Sequence, residues 1–198
     1  TEIRVSSKPV SAYVDRIDLL VPLNKGAIAH LRDRISADTV VIGEAESLGD
    51  EVSGAKLKFV ETPFTKIAND LGNKIYSNVV ATGTLAGLLG IKLDDICEYV
   101  KRSFSTKAAD IVSNNVKAAE AGFRLAEDVA RRADIKINIS SDAGVKDQII
   151  PSGGDAIGLG AMAGGCNFVS SYPMTPSTSV LNFLAKHGRD SGIIVEQA

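Results

Sequence analysis

Asn167-Phe168-Val169-Ser170-Ser171-Tyr172-Pro173-Met174-Thr175-Pro176-Ser177-Thr178-Ser179 changes character at its midpoint. Asn167-Phe168-Val169 reads as a short strand, Tyr172 to Pro176 carry turn chemistry, and a helix follows from Thr175 to His187. Thr175 is a preferred N-cap type. Pro176 suits the first helical position, because it lacks the N–H that would go unsatisfied there. Outward from this stretch, Gly153 to Gly165 reads as a helix of small residues and Ile193-Ile194-Val195 as a second strand. Helices alternating with strands at such short intervals predict an open parallel sheet with crossover helices.

Upstream the pattern is also mixed α/β. Ile3-Arg4-Val5-Ser6 alternates like a strand; Leu19-Leu20-Val21, Thr39-Val40-Val41-Ile42 and Leu57-Lys58-Phe59-Val60 are short apolar runs of the buried-strand kind. The period then lengthens. Pro63 opens a helix through Ile67, Ala68 and Leu71 that Gly72-Asn73 closes, and Asn78 is placed to cap the next, Val79 to Leu89. That second helix is apolar or small nearly all round, which predicts burial. Leu93, Ile96, Cys97, Val100 and Phe104 share one helical face, with Asp94 and Asp95 in the first turn where the dipole favours them. Val112, Val116, Ala119, Phe123, Ala126 and Ala130 run as one stripe along a long helix from about Lys107 to Arg132. Cys97 is therefore a core residue rather than a reactive one.

Composition sets the boundary and the exclusions. The last 48 residues hold eight of the 18 glycines and three of the six prolines, but only Lys186 and Arg189 among the basic residues. A shift this sharp predicts two units, residues 1–140 and 151–198. The polar run Ser140-Ser141-Asp142-Ala143-Gly144-Val145-Lys146-Asp147 marks where the linker lies, and its bounds are set at 141–150. A formal net charge of −2 argues against nucleic acid or an acidic membrane held by bulk charge. The uncharged run from Ala156 to Asn182 is too broken by glycine, serine and proline to span a bilayer. Thr1-Glu2-Ile3-Arg4 lacks the basic start and apolar core of a signal peptide. Cys97 and Cys166 stand far apart, with no Cys/His cluster, so neither an iron–sulfur cluster nor a zinc site can be built from them. A cytoplasmic protein without a bound metal is expected.

Gly158-Leu159-Gly160-Ala161-Met162-Ala163 matches the dinucleotide pattern G-x-G-x-x-A. That fingerprint needs a preceding strand and an acidic residue about twenty positions on. Pro151-Ser152-Gly153-Gly154 precedes it instead, and no acidic residue follows until Asp190. No lysine lies between Lys146 and Lys186, which excludes a P-loop. The glycines are better read as points where another backbone approaches closely. The turn Tyr172 to Ser177 is the sharper signal. It lies between a strand and a helix, where ligands bind in open sheets and where first-turn N–H groups favour an anion such as a carboxylate. On the residues alone, a ligand-facing turn and an ordinary helix cap are equally good readings.

Several stretches together resemble one enzyme family. Ser152-Gly153-Gly154-Asp155-Ala156, Gly160-Ala161-Met162-Ala163-Gly164-Gly165-Cys166, Tyr172-Pro173-Met174-Thr175-Pro176-Ser177-Thr178 and Val195-Glu196-Gln197-Ala198 resemble the start of the α subunit of 2-oxoacid:ferredoxin oxidoreductases. Met174 replaces the isoleucine of that family's Tyr-Pro-Ile-Thr-Pro-Ser signature. Val60-Glu61-Thr62-Pro63-Phe64-Thr65-Lys66-Ile67-Ala68, Ser77-Asn78-Val79-Val80-Ala81-Thr82-Gly83 and Asn115 through Gly122 resemble the γ subunit of the same enzymes. The γ-then-α order is that of their fused chains. The resemblance also implies a fragment. Family γ domains carry a glycine-rich strand–turn–helix ahead of the segment like Thr1-Glu2-Ile3-Arg4, and α domains continue Glu-Asp-Glu after the segment like Val195 to Ala198.

The resemblance implies an α/β fold: a mixed γ-type domain, then the first strand–helix units of a thiamine-diphosphate-binding-type parallel-sheet domain. It implies oxidative decarboxylation of a 2-oxoacid with CoA, giving acyl-CoA, CO2 and reduced ferredoxin, with 2-oxoglutarate the favoured substrate. Thiamine diphosphate, its magnesium and an iron–sulfur cluster belong mainly to a β subunit, and the fragment alone should bind none of them and be inactive. No catalytic residue falls in this chain. By family match Thr175 contacts the 2-oxoacid, and Tyr172, Pro173, Pro176 and Ser177 form the pocket wall. The partners implied are the β subunit, ferredoxin, CoA and the 2-oxoacid in an oligomeric complex, without nucleic acid or membrane. A non-catalytic assembly module of that complex is the alternative.

Overall fold

Leu19–Leu20 (β1), Val40–Gly43 (β2) and Lys58–Glu61 (β3) lie side by side in the order β1-β2-β3, all parallel. The computed structural model that shows this describes every residue except 1, 7, 9, 11, 54–56, 138, 141 and 146. Thr1 of the segment Thr1–Arg4, and Ser141 and Lys146 of the expected linker, are thus outside the described residues. The chain divides into two compact units, Thr1–Ser140 and Ser141–Ala198.

In the first unit, register pairs Leu19 with Val40 and Val40 with Lys58, so β2 is the central strand. All four of its residues are buried, which explains an uninterrupted apolar run where a one-sided strand would alternate. Val40, Ile42 and Val60 face one layer, made by Phe64 and Ala68 of α4 (Phe64–Asp70), Val80 and Ala81 of α5 (Ser77–Leu88), and Ala118, Ala126 and Val129 of α7 (Ala109–Ala133). Leu20 and Val41 face the other layer with Ile28 of α1 (Ala27–His30) and Leu48 of α2 (Ala45–Leu48), which the short α3 (Asp50–Ser53) follows. Burying side chains of this size is worth about 1.5–3 kcal/mol each, so this two-sided core is the main source of the unit's stability. α6 (Leu93–Ser103) buries Ile96, Cys97 and Val100, with Asp94 and Asp95 in its first turn. Burial pushes the Cys97 thiol above its ordinary range, so it stays protonated and inert.

Three expectations about this unit are corrected. Ile3 to Ser6 is not a strand. Ile3 is 72% and Val5 50% exposed, and no described strand stands beside them to supply a ladder. Side chains hold the segment instead: Arg4 donates to the Ala12 carbonyl at 2.6 Å, and just before it Glu2 accepts from Arg34 through both carboxylate oxygens. Asn78 is not a cap. A 3-10 turn over Lys74–Tyr76, capped by the Asn73 side chain on the Ile75 N–H, runs straight into α5 and puts Asn78 inside its first turn. On α7 the most buried residues are Asn115, Ala118, Ala119, Gly122, Ala126 and Val129, a face turned from the expected stripe. The reason is a seam of small residues against α5. Gly83 lies under the Ala119 carbonyl and Gly122 under the Val80 carbonyl, each so close that a Cβ would overlap it. The buried Thr84 hydroxyl, 2.9 Å from the Gly122 carbonyl oxygen, ties the two helices there. Val116 and Phe123 pack instead towards α6.

The second unit is a helix followed by a strand–helix–strand. α8 (Gly153–Ala163) begins in a capping box: Ser152 accepts from the Asp155 N–H, and Asp155 accepts from the Ser152 N–H. β4 (Phe168–Ser171) and β5 (Ile194–Gln197) pair in parallel, Phe168 opposite Ile194, with α9 (Ser177–His187) as the crossover. Leu181 and Leu184 of α9 and Ile193 make its small core. Gly154 and Gly158 of α8 lie under Ser179 and Phe183 of α9. The mixed α/β class with parallel sheets therefore holds in both units.

Candidate functional site

β4 delivers the chain to a turn at its carboxyl end, the edge of an open parallel sheet where ligands collect. Within the turn the Met174 N–H donates to the Tyr172 carbonyl at 2.8 Å, a three-residue turn centred on Pro173. The Ser177 hydroxyl reaches back and donates to the Met174 carbonyl at 2.6 Å. Ser171, the last residue of β4, sets its hydroxyl 3.2 Å from the Tyr172 carbonyl oxygen and 3.4 Å from Ser177 Oγ. A strand end and a helix start are thus joined through two hydroxyls and two turn carbonyls. Every residue from Tyr172 to Ser177 is exposed, Tyr172 by 68%.

The helix start differs from expectation. α9 begins at Ser177, which leaves Pro176 at the N-cap, where it makes no side-chain cap bond. Thr175 therefore stands before the cap and is not the capping residue, and Pro176 is not the first helical residue. The Thr178 N–H finds its acceptor in the Met174 carbonyl, 3.3 Å away, so backbone does what a threonine side chain was expected to do. Thr175 Oγ1 takes no hydrogen-bond partner among the described residues. The structure brings Tyr172, Pro173, Thr175, Pro176 and Ser177 into one exposed turn. It adds Ser171, which sequence reading missed, because a serine closing a strand has no signal until the helix start folds beside it.

The carboxyl ends of the first unit's strands are arranged differently. Glu44, just after β2, accepts from the Thr65 N–H at 2.7 Å and from its hydroxyl, at the start of the helix that follows β3. Glu61, ending β3, accepts from the Ala45 N–H at 2.9 Å, at the start of the helix that follows β2. Glu51 accepts from the Gly26 N–H at 2.6 Å. The chain's own carboxylates fill the anion positions that helix starts create there. Nothing in the local sequence marks these pairs, because each spans at least sixteen residues.

The G-x-G-x-x-A run lies inside α8 and not at a strand-to-helix turn, with Gly158 beneath Phe183 and open space over Gly160. Among the described residues no three His, Cys, Asp or Glu side chains come together to hold a metal ion. No helix among the described residues is long and apolar enough to cross a membrane.

Comparison with known proteins converges on one group. The family model for pyruvate ferredoxin/flavodoxin oxidoreductase matches residues 1–125. A solved structure of 2-oxoglutarate:ferredoxin oxidoreductase from Magnetococcus marinus, with 2-oxoglutarate, coenzyme A and succinyl-CoA bound, is similar over 98% of this chain at 27% identity and a TM-score of 0.83. This chain spans 34% of the length of that one.

Proposed function

This chain belongs to the pyruvate ferredoxin/flavodoxin oxidoreductase family, and on that premise we propose that it is part of a 2-oxoacid:ferredoxin oxidoreductase of the fused γ–α kind. The reaction is the oxidative decarboxylation of a 2-oxoacid with CoA, giving acyl-CoA and CO2 and passing two electrons to ferredoxin. 2-Oxoglutarate is the favoured substrate. The observation that carries this reading is the similarity, along nearly the whole chain, to a structure that holds 2-oxoglutarate, coenzyme A and succinyl-CoA.

Thiamine diphosphate supplies the electron sink for decarboxylation in such enzymes. We assign the diphosphate, its magnesium and the iron–sulfur cluster mainly to a β subunit. The part played by this chain is then to bind and orient. Thr175, whose hydroxyl takes no partner within the described chain, donates a hydrogen bond to the 2-oxoacid. The start of α9 adds a field that favours the substrate's negative charge. Tyr172, Pro173, Pro176 and Ser177 wall the pocket and limit water. The complex works in the cytoplasm with ferredoxin as acceptor.

The test is reconstitution. The complete chain, combined with the thiamine-diphosphate-holding subunit, is expected to reduce ferredoxin only when a 2-oxoacid and CoA are both present, and faster with 2-oxoglutarate than with pyruvate. Absence of reduction with every 2-oxoacid tried would overturn the assignment. A preference for pyruvate would overturn only the substrate choice.

A further inference from the structure

We propose that Ser177 is a positioning residue for the 2-oxoacid, acting through Thr175 and not by a hydrogen bond of its own to the substrate; the proposal rests on the reading that Thr175 donates to the substrate. The distances carry it. Ser177 has one hydroxyl hydrogen and two carbonyl oxygens in reach, Met174 at 2.6 Å and Tyr172 at 3.4 Å. The shorter contact takes the proton, since hydrogen bonds between oxygens weaken quickly beyond about 3 Å. By the same rule the single hydroxyl hydrogen of Ser171 goes to the Tyr172 carbonyl at 3.2 Å, with Ser177 Oγ beside it at 3.4 Å. The two bonds, Ser171 to the Tyr172 carbonyl and Ser177 to the Met174 carbonyl, brace the turn from the end of β4 to the start of α9.

Thr175 follows directly on the carbonyl that Ser177 holds. Orienting that peptide orients the Cα–Cβ bond of Thr175, and with it the direction in which the hydroxyl can point. The Met174 carbonyl also accepts from the Thr178 N–H, but at 3.3 Å against 2.6 Å for the Ser177 hydroxyl, so Ser177 holds it more closely. Ser177 is also exposed, so its hydroxyl is not needed to satisfy a buried group. A hydroxyl on the first residue of a helix brings no propensity advantage over alanine, which is the better helix former. Its bond to Met174 is thus the contribution its removal would cancel.

The experiment uses the complete enzyme reassembled with its partner subunits, and three variants with their double mutant. Ser177→Ala removes the bond, while the alanine keeps or improves the helix. It is expected to raise the KM for the 2-oxoacid about two- to tenfold, the value of one net hydrogen bond, with the KM for CoA unchanged. Ser177→Thr keeps the hydroxyl and should restore the wild-type KM. Thr175→Ala should lower kcat/KM further than Ser177→Ala, and adding Ser177→Ala to it should cost nothing more, because a positioning residue has nothing left to position. If the two costs multiply, or if Ser177→Ala leaves the KM alone while Thr175→Ala raises it, Ser177 does not act through Thr175. If Thr175→Ala itself leaves 2-oxoacid kinetics untouched, the substrate role of Thr175 falls and the positioning role falls with it.

Discussion

At Thr175 two readings of the same residue make opposite predictions, and the fold separates them. A capping threonine changed to alanine costs about 1 kcal/mol of stability. Thr175 does not cap α9, since Pro176 holds that position and the Met174 carbonyl serves the first turn. Thr175→Ala should therefore melt within about 0.5 kcal/mol of the parent, as exposed substitutions usually do. In the reassembled enzyme the same change should lower kcat/KM for the 2-oxoacid about ten- to hundredfold, the loss of a hydrogen bond to a charged group. Thr175→Ser should retain most activity. Thermal melts and steady-state kinetics on one set of preparations check both halves. A clear fall in melting temperature with normal turnover would restore the cap and remove the substrate role.

Among the elements, helix pairs are set by where glycine permits contact. In the first unit Gly122 lies against the Val80 carbonyl of α5, and a methyl group there has no room. Gly122→Ala should destabilise by about 1–3 kcal/mol through overpacking, against roughly 1 kcal/mol of helix propensity gained. Gly160 of α8 is the control. It too sits inside a helix, but a Cβ there would meet nothing within 4 Å. Gly160→Ala should stabilise by about 0.5–1 kcal/mol, because only the propensity change remains. Urea unfolding of the two variants should thus shift in opposite directions. Stabilisation of both would mean that the α5–α7 seam is looser than its geometry indicates, and destabilisation of both that Gly160 is not free of contact.

On the scale of the whole molecule, the chain is two compact units, each with its own parallel sheet and its own core. Exposed stretches at the boundary of such units are the usual sites of first proteolytic attack. Limited proteolysis of the complete protein is expected to cut first within residues 141–150, leaving α7 intact. A first cut inside α7 would contradict this, because it would require the longest helix, and the face it buries on the sheet, to open before the connection does. The first 125 residues place the chain in the pyruvate ferredoxin/flavodoxin oxidoreductase family.

The sequence by itself determined what is local. Period and turn chemistry marked β1 to β5 in their apolar runs, the helices from α4 onwards, the core position of Cys97, and the turn from Tyr172 to Ser177 as the chemically distinctive place. These follow from side-chain spacing and backbone preference, which act over a few residues. Only tertiary structure decided the rest. Ile3 to Ser6 alternates as a strand does, yet a ladder needs a neighbour, and none of the described strands lies there. The buried face of α7 depends on which carbonyls of α5 its small residues meet. The crossed carboxylates Glu44 and Glu61, and the meeting of Ser171 with Ser177, join residues that only the folded chain makes adjacent. A hydrogen bond's partner is fixed by proximity in space. For that reason the residue types at the candidate site could be read from the sequence, while the one that caps, the one left without a partner and the one that holds the turn could not.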